Sequence, residues 1–222
     1  AGQQKAAWIS GFFGSGKSHL LKMLAHFWVN TDFGGSRARD LPRRGLPDTI
    51  TPHFAELDKI LKQTDTTPVA AAGTLLGGNE HVRRTVLEIV LVAAGWPRQY
   101  PQAMFCFWLR DQGQLDRIRG EVEAAGKDWH AELDNMLVSP LIGGALVKAM
   151  PENFASIADA LKALQSQFPL PKADITSSDF KKAVGQALRQ GDQIPPTLLV
   201  LDEVQQYINE SSDRAKTIVE IT

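Results

Sequence analysis

The sequence holds a single cysteine, Cys106, among its 222 residues. That excludes an intrachain disulfide and leaves no Cys-x-x-Cys pair on which to build a zinc site. Its neighbours Phe105, Phe107 and Trp108 predict a buried apolar thiol, since no cation or helix start stands beside it to activate it. Long hydrophobic runs are missing as well. No stretch reaches the roughly 18 uncharged apolar residues of a membrane-spanning helix, and the beginning lacks the basic-then-apolar layout of a signal peptide. The expectation is a cytoplasmic protein with no membrane association. Charge of one sign is also lacking: 24 Lys and Arg stand against 25 Asp and Glu. This balance supplies no global attraction to nucleic acid or to an anionic membrane surface. The 5 histidines, at 19, 26, 53, 81 and 130, lie far apart and support no metal cluster.

What the chain does have is an ordinary globular composition, 43% hydrophobic, sufficient for one large domain or for a domain carrying an insertion. Its most informative stretch is Gly11-Phe12-Phe13-Gly14-Ser15-Gly16-Lys17-Ser18, a full match to G-x-x-x-x-G-K-[ST]. Lys5 to Ser10 before it reads as a short, largely apolar strand. His19 to Trp28 after it reads as a helix, with apolar residues at 20, 24, 27 and 28.

Strand, glycine loop and helix together make a phosphate cradle. The first amides of a helix have no intrahelical partner and carry roughly half a positive charge, so anions dock there. Gly11, Gly14 and Gly16 let the backbone wrap closely round the phosphates with successive N–H groups turned inward. Lys17 adds a charge for the β and γ phosphates and the Ser18 hydroxyl a ligand for Mg²⁺. Gly11, Gly14, Ser15, Gly16, Lys17, Ser18 and His19 are therefore the candidate cofactor-binding residues, with ATP and Mg²⁺ as the expected cofactors.

Gly, Pro and Asp punctuate residues 30–48, which predicts a loop; its arginines at 37, 39, 43 and 44 suit a solvated loop better than a nucleic-acid contact. Thr51 to Leu61 reads as a helix with Thr51 as its cap, and Thr67 to Leu76 as a buried strand. From Asn79 onward the periodicity is helical for 90 residues. Phe105, Cys106, Phe107, Trp108 and Leu109 form its buried hub, and core packing is preferred to base stacking for these aromatics. Ser178 is expected to cap a helix through Leu188.

Leu198-Leu199-Val200-Leu201 then reads as a strand buried on both faces of a parallel sheet, ending in Asp202 and Glu203. This is the layout of a Walker B strand. Asp202 at its tip is the second candidate Mg²⁺ ligand, while Glu203 is positioned to orient and polarise a water. With Lys17, Glu203 is the candidate catalytic residue of in-line phosphoryl transfer to water. The expected fold class is thus α/β: an AAA+-like P-loop NTPase core on a parallel sheet, incomplete, formed by 1–78 and 178–222, with an all-helical insertion over 79–177.

The extended loop Trp8 to Leu24, together with Val138-Ser139-Pro140, Gln167-Phe168-Pro169 and Leu201-Asp202-Glu203-Val204-Gln205-Gln206-Tyr207-Ile208, resembles the P-loop ATPase of the bacterial BREX phage-defence systems, the BrxC/PglY family. The resemblance implies a large cytoplasmic ATPase, homo-oligomeric in full-length form, working with other BREX components; direct DNA association stays open. It also implies that the chain is a piece lacking the sensor strand, arginine finger and lid, with little or no ATPase activity of its own. Two other readings share the motifs: a nucleotide-gated scaffold without turnover, and a DNA-loading ATPase of the origin-recognition or helicase-loader type.

Overall fold

The structure is a computed structural model that describes residues 6–12, 14–75, 81–209 and 211–221. The chain divides into two compact units, one formed by Ala1–Ala94 with Asp174–Thr222, the other by Gly95–Ala173.

The first unit contains a sheet of two strands among its described residues. β1 (Val69–Thr74) and β2 (Thr197–Asp202) pair in parallel, with Val69 opposite Thr197 and Thr74 opposite Asp202. Leu75 extends the ladder by donating its N–H to the Asp202 carbonyl at 2.9 Å. β1 is made of small residues, and this lets a helix come close. At Gly73 an added Cβ would strike the side chain of Ile89.

That residue belongs to α3 (Val82–Ala93), which buries Val82, Val86 and Val90 at helical spacing along with Leu87 and Leu91. α3 packs on β1, on α9 (Ser177–Leu188) and on α11 (Ser212–Ile221). Polar groups fasten the same junction: Arg83 donates to Glu220 at 2.6 Å and to the Ser177 hydroxyl at 3.1 Å. The Asp174 carboxylate accepts from the amides of both Arg83 and Arg84, satisfying two orphan donors at the start of α3. Glu220, with Arg83 and Ser177 donating to it, has its carboxyl held below the usual range.

α1 (Lys17–Val29) half-covers Lys17, Ser18, Leu21, Leu24, Ala25, Phe27, Trp28 and Val29, yet buries none of its residues fully. Trp28 near its end donates its indole N–H to the Pro196 carbonyl, just before β2, at 3.3 Å. α2 (Thr51–Thr64) buries Phe54 and Leu57. Arg39, from a short 3₁₀ turn over Ala38–Asp40, joins α2 to α1: it donates to both Asp58 oxygens at 2.9 Å and to the Phe27 and Trp28 carbonyls, and it stacks on Phe54.

The second unit is helical throughout: α4 (Tyr100–Asp111), α5 (Leu115–Ala124), α6 (Trp129–Asp134), α7 (Pro140–Ala149) and α8 (Ile157–Gln167). Phe105, Cys106 and Leu109 of α4 meet Ile118 and Val122 of α5, Leu133 of α6, Ile142 and Leu146 of α7 and Leu164 of α8 in one buried cluster. Phe105 and Trp108 flank Phe168, with ring centroids 5.7 and 6.2 Å from it. The helix starts are closed by side chains. Asp128, Ser139 and Ser156 each accept from an amide in the first turn of α6, α7 and α8.

Several expectations are corrected. The AAA+-like P-loop NTPase core on a parallel sheet is not what the described residues form: they are mostly helical, and the sheet has two strands. Residues 6–12 are not a strand. They show no backbone pairing with β1 or β2, and Trp8 and Ile9 are 58% and 42% exposed. An extended segment with neither a ladder partner nor burial has nothing to hold it as a strand. β2 is only partly covered, with Val200 its one buried residue, so its apolar run is not sandwiched on both faces. Thr51 lies inside α2, which Ile50 precedes, and Thr176 in place of Ser178 caps α9 by accepting from Asp179.

Candidate functional site

The loop from Gly11 to Ser18 is built by its glycines and closed by its lysine; Phe13 lies outside the described residues. Gly14 and Gly16 have φ of 79° and 86°, a left-handed backbone that a Cβ makes costly. At Gly11 a Cβ would sit 2.9 Å from Ser15 Oγ, a side-chain atom that can turn aside, so the space there is a weaker constraint. Ser15 N–H turns back to the Phe12 carbonyl at 3.1 Å, and the first helical bond runs from Leu20 N–H to Gly16 O at 2.9 Å. Consequently the amides of Lys17, Ser18 and His19 precede the helical ladder, and the N-cap, being glycine, offers them no side-chain acceptor. No acidic residue occupies this first turn.

Lys17 folds over the loop that precedes it. Its Nζ donates to the Gly11 carbonyl at 2.8 Å and to the Phe12 carbonyl at 2.9 Å. An ammonium has three N–H donors, so one remains for a ligand while two brace the loop into a ring. The cationic group is thereby fixed beside unpaired amides at a positive helix end. Every element of the constellation favours an anion. His19 is exposed at the surface of the first turn.

The two carboxylates come from the far end of β2. Asp202 is its last residue and Glu203 the next, and both are half-covered. Asp202 Oδ1 accepts the Glu203 N–H at 3.0 Å. Glu203 adopts a left-handed φ of 58° and begins α10 (Val204–Ile208). Such a conformation is uncommon outside glycine and turns the chain sharply away from the strand.

α1, which begins at the loop, packs on both strands, and the carboxylates follow the second of them. Its end is tied to the start of β2, where the Trp28 indole donates to the Pro196 carbonyl.

Ser18 and Asp202 each carry an oxygen of the kind that Mg²⁺ takes from protein. Mg²⁺ favours hard oxygen ligands, keeps several waters and takes only one or two groups from protein beside the substrate phosphates. Among the described residues no group of three or more His, Cys, Asp or Glu is arranged to hold a metal. Cys106 is buried in the second unit and its thiol is pushed up to about 12 by desolvation, which leaves it protonated and unreactive.

Two site-supporting residues were missed in the sequence. Gln206 donates its side-chain amide to Glu203 Oε2 at 2.6 Å, a contact signalled only by the Glu-x-x-Gln spacing at a helix start. Arg39, grouped with a solvated basic loop, has its side chain only 10% exposed and holds the end of α1; nothing in its spacing singled it out from Arg37, Arg43 and Arg44, which are exposed.

No family model, no curated protein and no solved structure matches the chain. Among the described residues no helix is long and apolar enough to cross a membrane.

Proposed function

We propose that the chain binds Mg-ATP through Gly11–Ser18 and that its Glu203 orients water for hydrolysis of the terminal phosphoanhydride. The observation that carries this reading is the Lys17 ammonium, pinned over a left-handed glycine loop at the open start of α1. A turn of Gly and Ser serving only as a connector into α1 has no need of a cation drawn back onto its own carbonyls.

In this reading the amides at 17–19 and Lys17 take the phosphate oxygens. Ser18 and Asp202 would hold Mg²⁺, which when bound would draw charge from the β and γ phosphates. Asp202 is tied to the Glu203 amide, leaving its second oxygen free of that bond. Glu203 has the carboxylate needed to accept a hydrogen bond from water and fix its approach, and positioning of this kind supplies most of the acceleration in phosphoryl transfer. On the resemblance of the loop and of the Asp202 to Ile208 block, we assign this chemistry to BREX phage defence in the bacterial cytoplasm, with other BREX components as partners and a homo-oligomer as the working form. DNA is the substrate that such a system acts upon.

Replacing Glu203 by Gln in the intact protein tests the assignment. Turnover should fall by at least about 100-fold while ATP is retained, as expected for loss of a residue that acts in the transition state. Unchanged turnover would remove the hydrolytic role. Nucleotide-dependent assembly that is equally intact in the Glu203→Gln protein would favour the scaffold reading.

A further inference from the structure

The Glu203 carboxylate is held by a neighbour. Its Oε2 accepts a 2.6 Å hydrogen bond from Gln206 Nε2, which leaves Oε1 without that constraint. The backbone around it is over-determined: Glu203 N–H goes to Asp202 Oδ1 at 3.0 Å, and the Glu203 carbonyl accepts from the Gln206 and Tyr207 amides at 3.0 and 3.2 Å. α10 is anchored in turn by Tyr207, which is 3% exposed. The Tyr207 carbonyl accepts from Arg214 at 3.0 Å, and the same guanidinium stands 5.3 Å from the Tyr207 ring centroid. Gln206 thus reaches Glu203 from an element fixed to the body of the unit.

We propose that Gln206 is the positioning residue for Glu203, fixing one carboxylate oxygen so that the other presents to the attacking water. The inference rests on the hydrolytic reading of Glu203. The chemistry of the donor is the reason for an amide at this position. A neutral N–H donor orients a carboxylate without cancelling its charge, whereas Lys or Arg would form an ion pair and weaken it as a base. A carboxylate has about four lone-pair sites, so one anchoring bond leaves capacity for water.

The test compares wild type with Gln206→Ala, Gln206→Glu and Glu203→Gln in the intact protein, measuring phosphate release, Mg-ATP affinity and the thermal midpoint. Gln206→Ala should lower kcat by roughly 10–100-fold with KM and affinity nearly unchanged, the pattern for an outer partner that orients a reacting group. Gln206→Glu, equal in size but negatively charged against Glu203, should lower kcat at least as far. Both should keep the wild-type midpoint. Wild-type kcat in Gln206→Ala overturns the proposal. A loss of affinity and midpoint in step with kcat overturns it too, by reducing Gln206 to a fastener of α10. If Glu203→Gln turns over normally, or the wild type does not turn over, the hydrolytic reading fails and takes this inference with it. If Glu203→Gln is dead and Gln206→Ala runs at full rate, the inference alone fails.

Discussion

The two units are built to different standards. In the second, five helices close over a cluster in which Phe105, Ile118, Val122, Ile142 and Leu146 are fully buried and three helix starts carry side-chain caps. In the first, the elements that bear the candidate site are the least buried: α1 has no fully buried residue, β2 has Val200 alone, and Phe12 within the loop is 91% exposed. The difference separates two kinds of sequence constraint. Side chains of the second unit are selected by shape, and those at the loop by the conformation and charge they present to a ligand. Uncapped amides at the start of α1 and the left-handed backbone of Glu203 are unfavourable for stability. They suit a surface that waits for an anion.

The largest effect that would test this contrast is in the packed unit. Phe105→Ala should destabilise it by about 3–5 kcal/mol, since it empties the centre of the cluster. Denaturant unfolding reads the loss, and ATP affinity per folded molecule should be unchanged. An equal loss of affinity would break the separation between core and site. Within the first unit the well-packed contact is Gly73 on Ile89, where a methyl has no room. Gly73→Ala should therefore cost about 1–3 kcal/mol through displacement of α3, although the same change in an open strand would stabilise. A stabilised variant would show that α3 yields easily.

The smallest effect concerns Cys106. Its thiol is raised to about 12 by burial, above the usual value near 8.5 in an unfolded chain. The folded state therefore holds a proton that the unfolded state gives up between about pH 8.5 and 12, and the stability it contributes is present below that window and lost as pH rises through it. Native protein at pH 8 should react with a disulfide reagent only as fast as the unit opens, and Cys106→Ala should flatten the alkaline fall in stability. Rapid labelling in the native state would show that the core is accessible.

Much of this layout could be read in the sequence, and the reason lies in how local each signal is. α1, β1, α4 and β2 have their determinants within their own residues: an amphipathic stripe, a run of small residues bounded by glycine, an apolar hub, an apolar run before two carboxylates. Lys17 and Ser18 follow from one contiguous motif. The strand expected before the loop failed because strands need partners, and neither β1 nor β2 pairs with residues 6–12. The burial of β2 was overestimated for the same cause, since an apolar run records what could be covered and not what covers it. Arg39 was misjudged because its partners, Phe27, Trp28 and Asp58, come from two helices. The cap of α9 was displaced by two residues, from Ser178 to Thr176, in a Thr-Ser-Ser run where each residue has the chemistry of a cap.

The central claim is that the Gly11–Ser18 loop is an anion cradle closed by Lys17. Calorimetric titration of Mg-ATP into the intact protein, wild type against Lys17→Ala, tests it directly. Removing the ammonium deletes a charge-assisted contact of about 1.5–3 kcal/mol, so the variant should bind roughly 10–100-fold more weakly at an unchanged unfolding midpoint. Equal affinity in the two proteins, or no saturable binding by the wild type, would contradict the account.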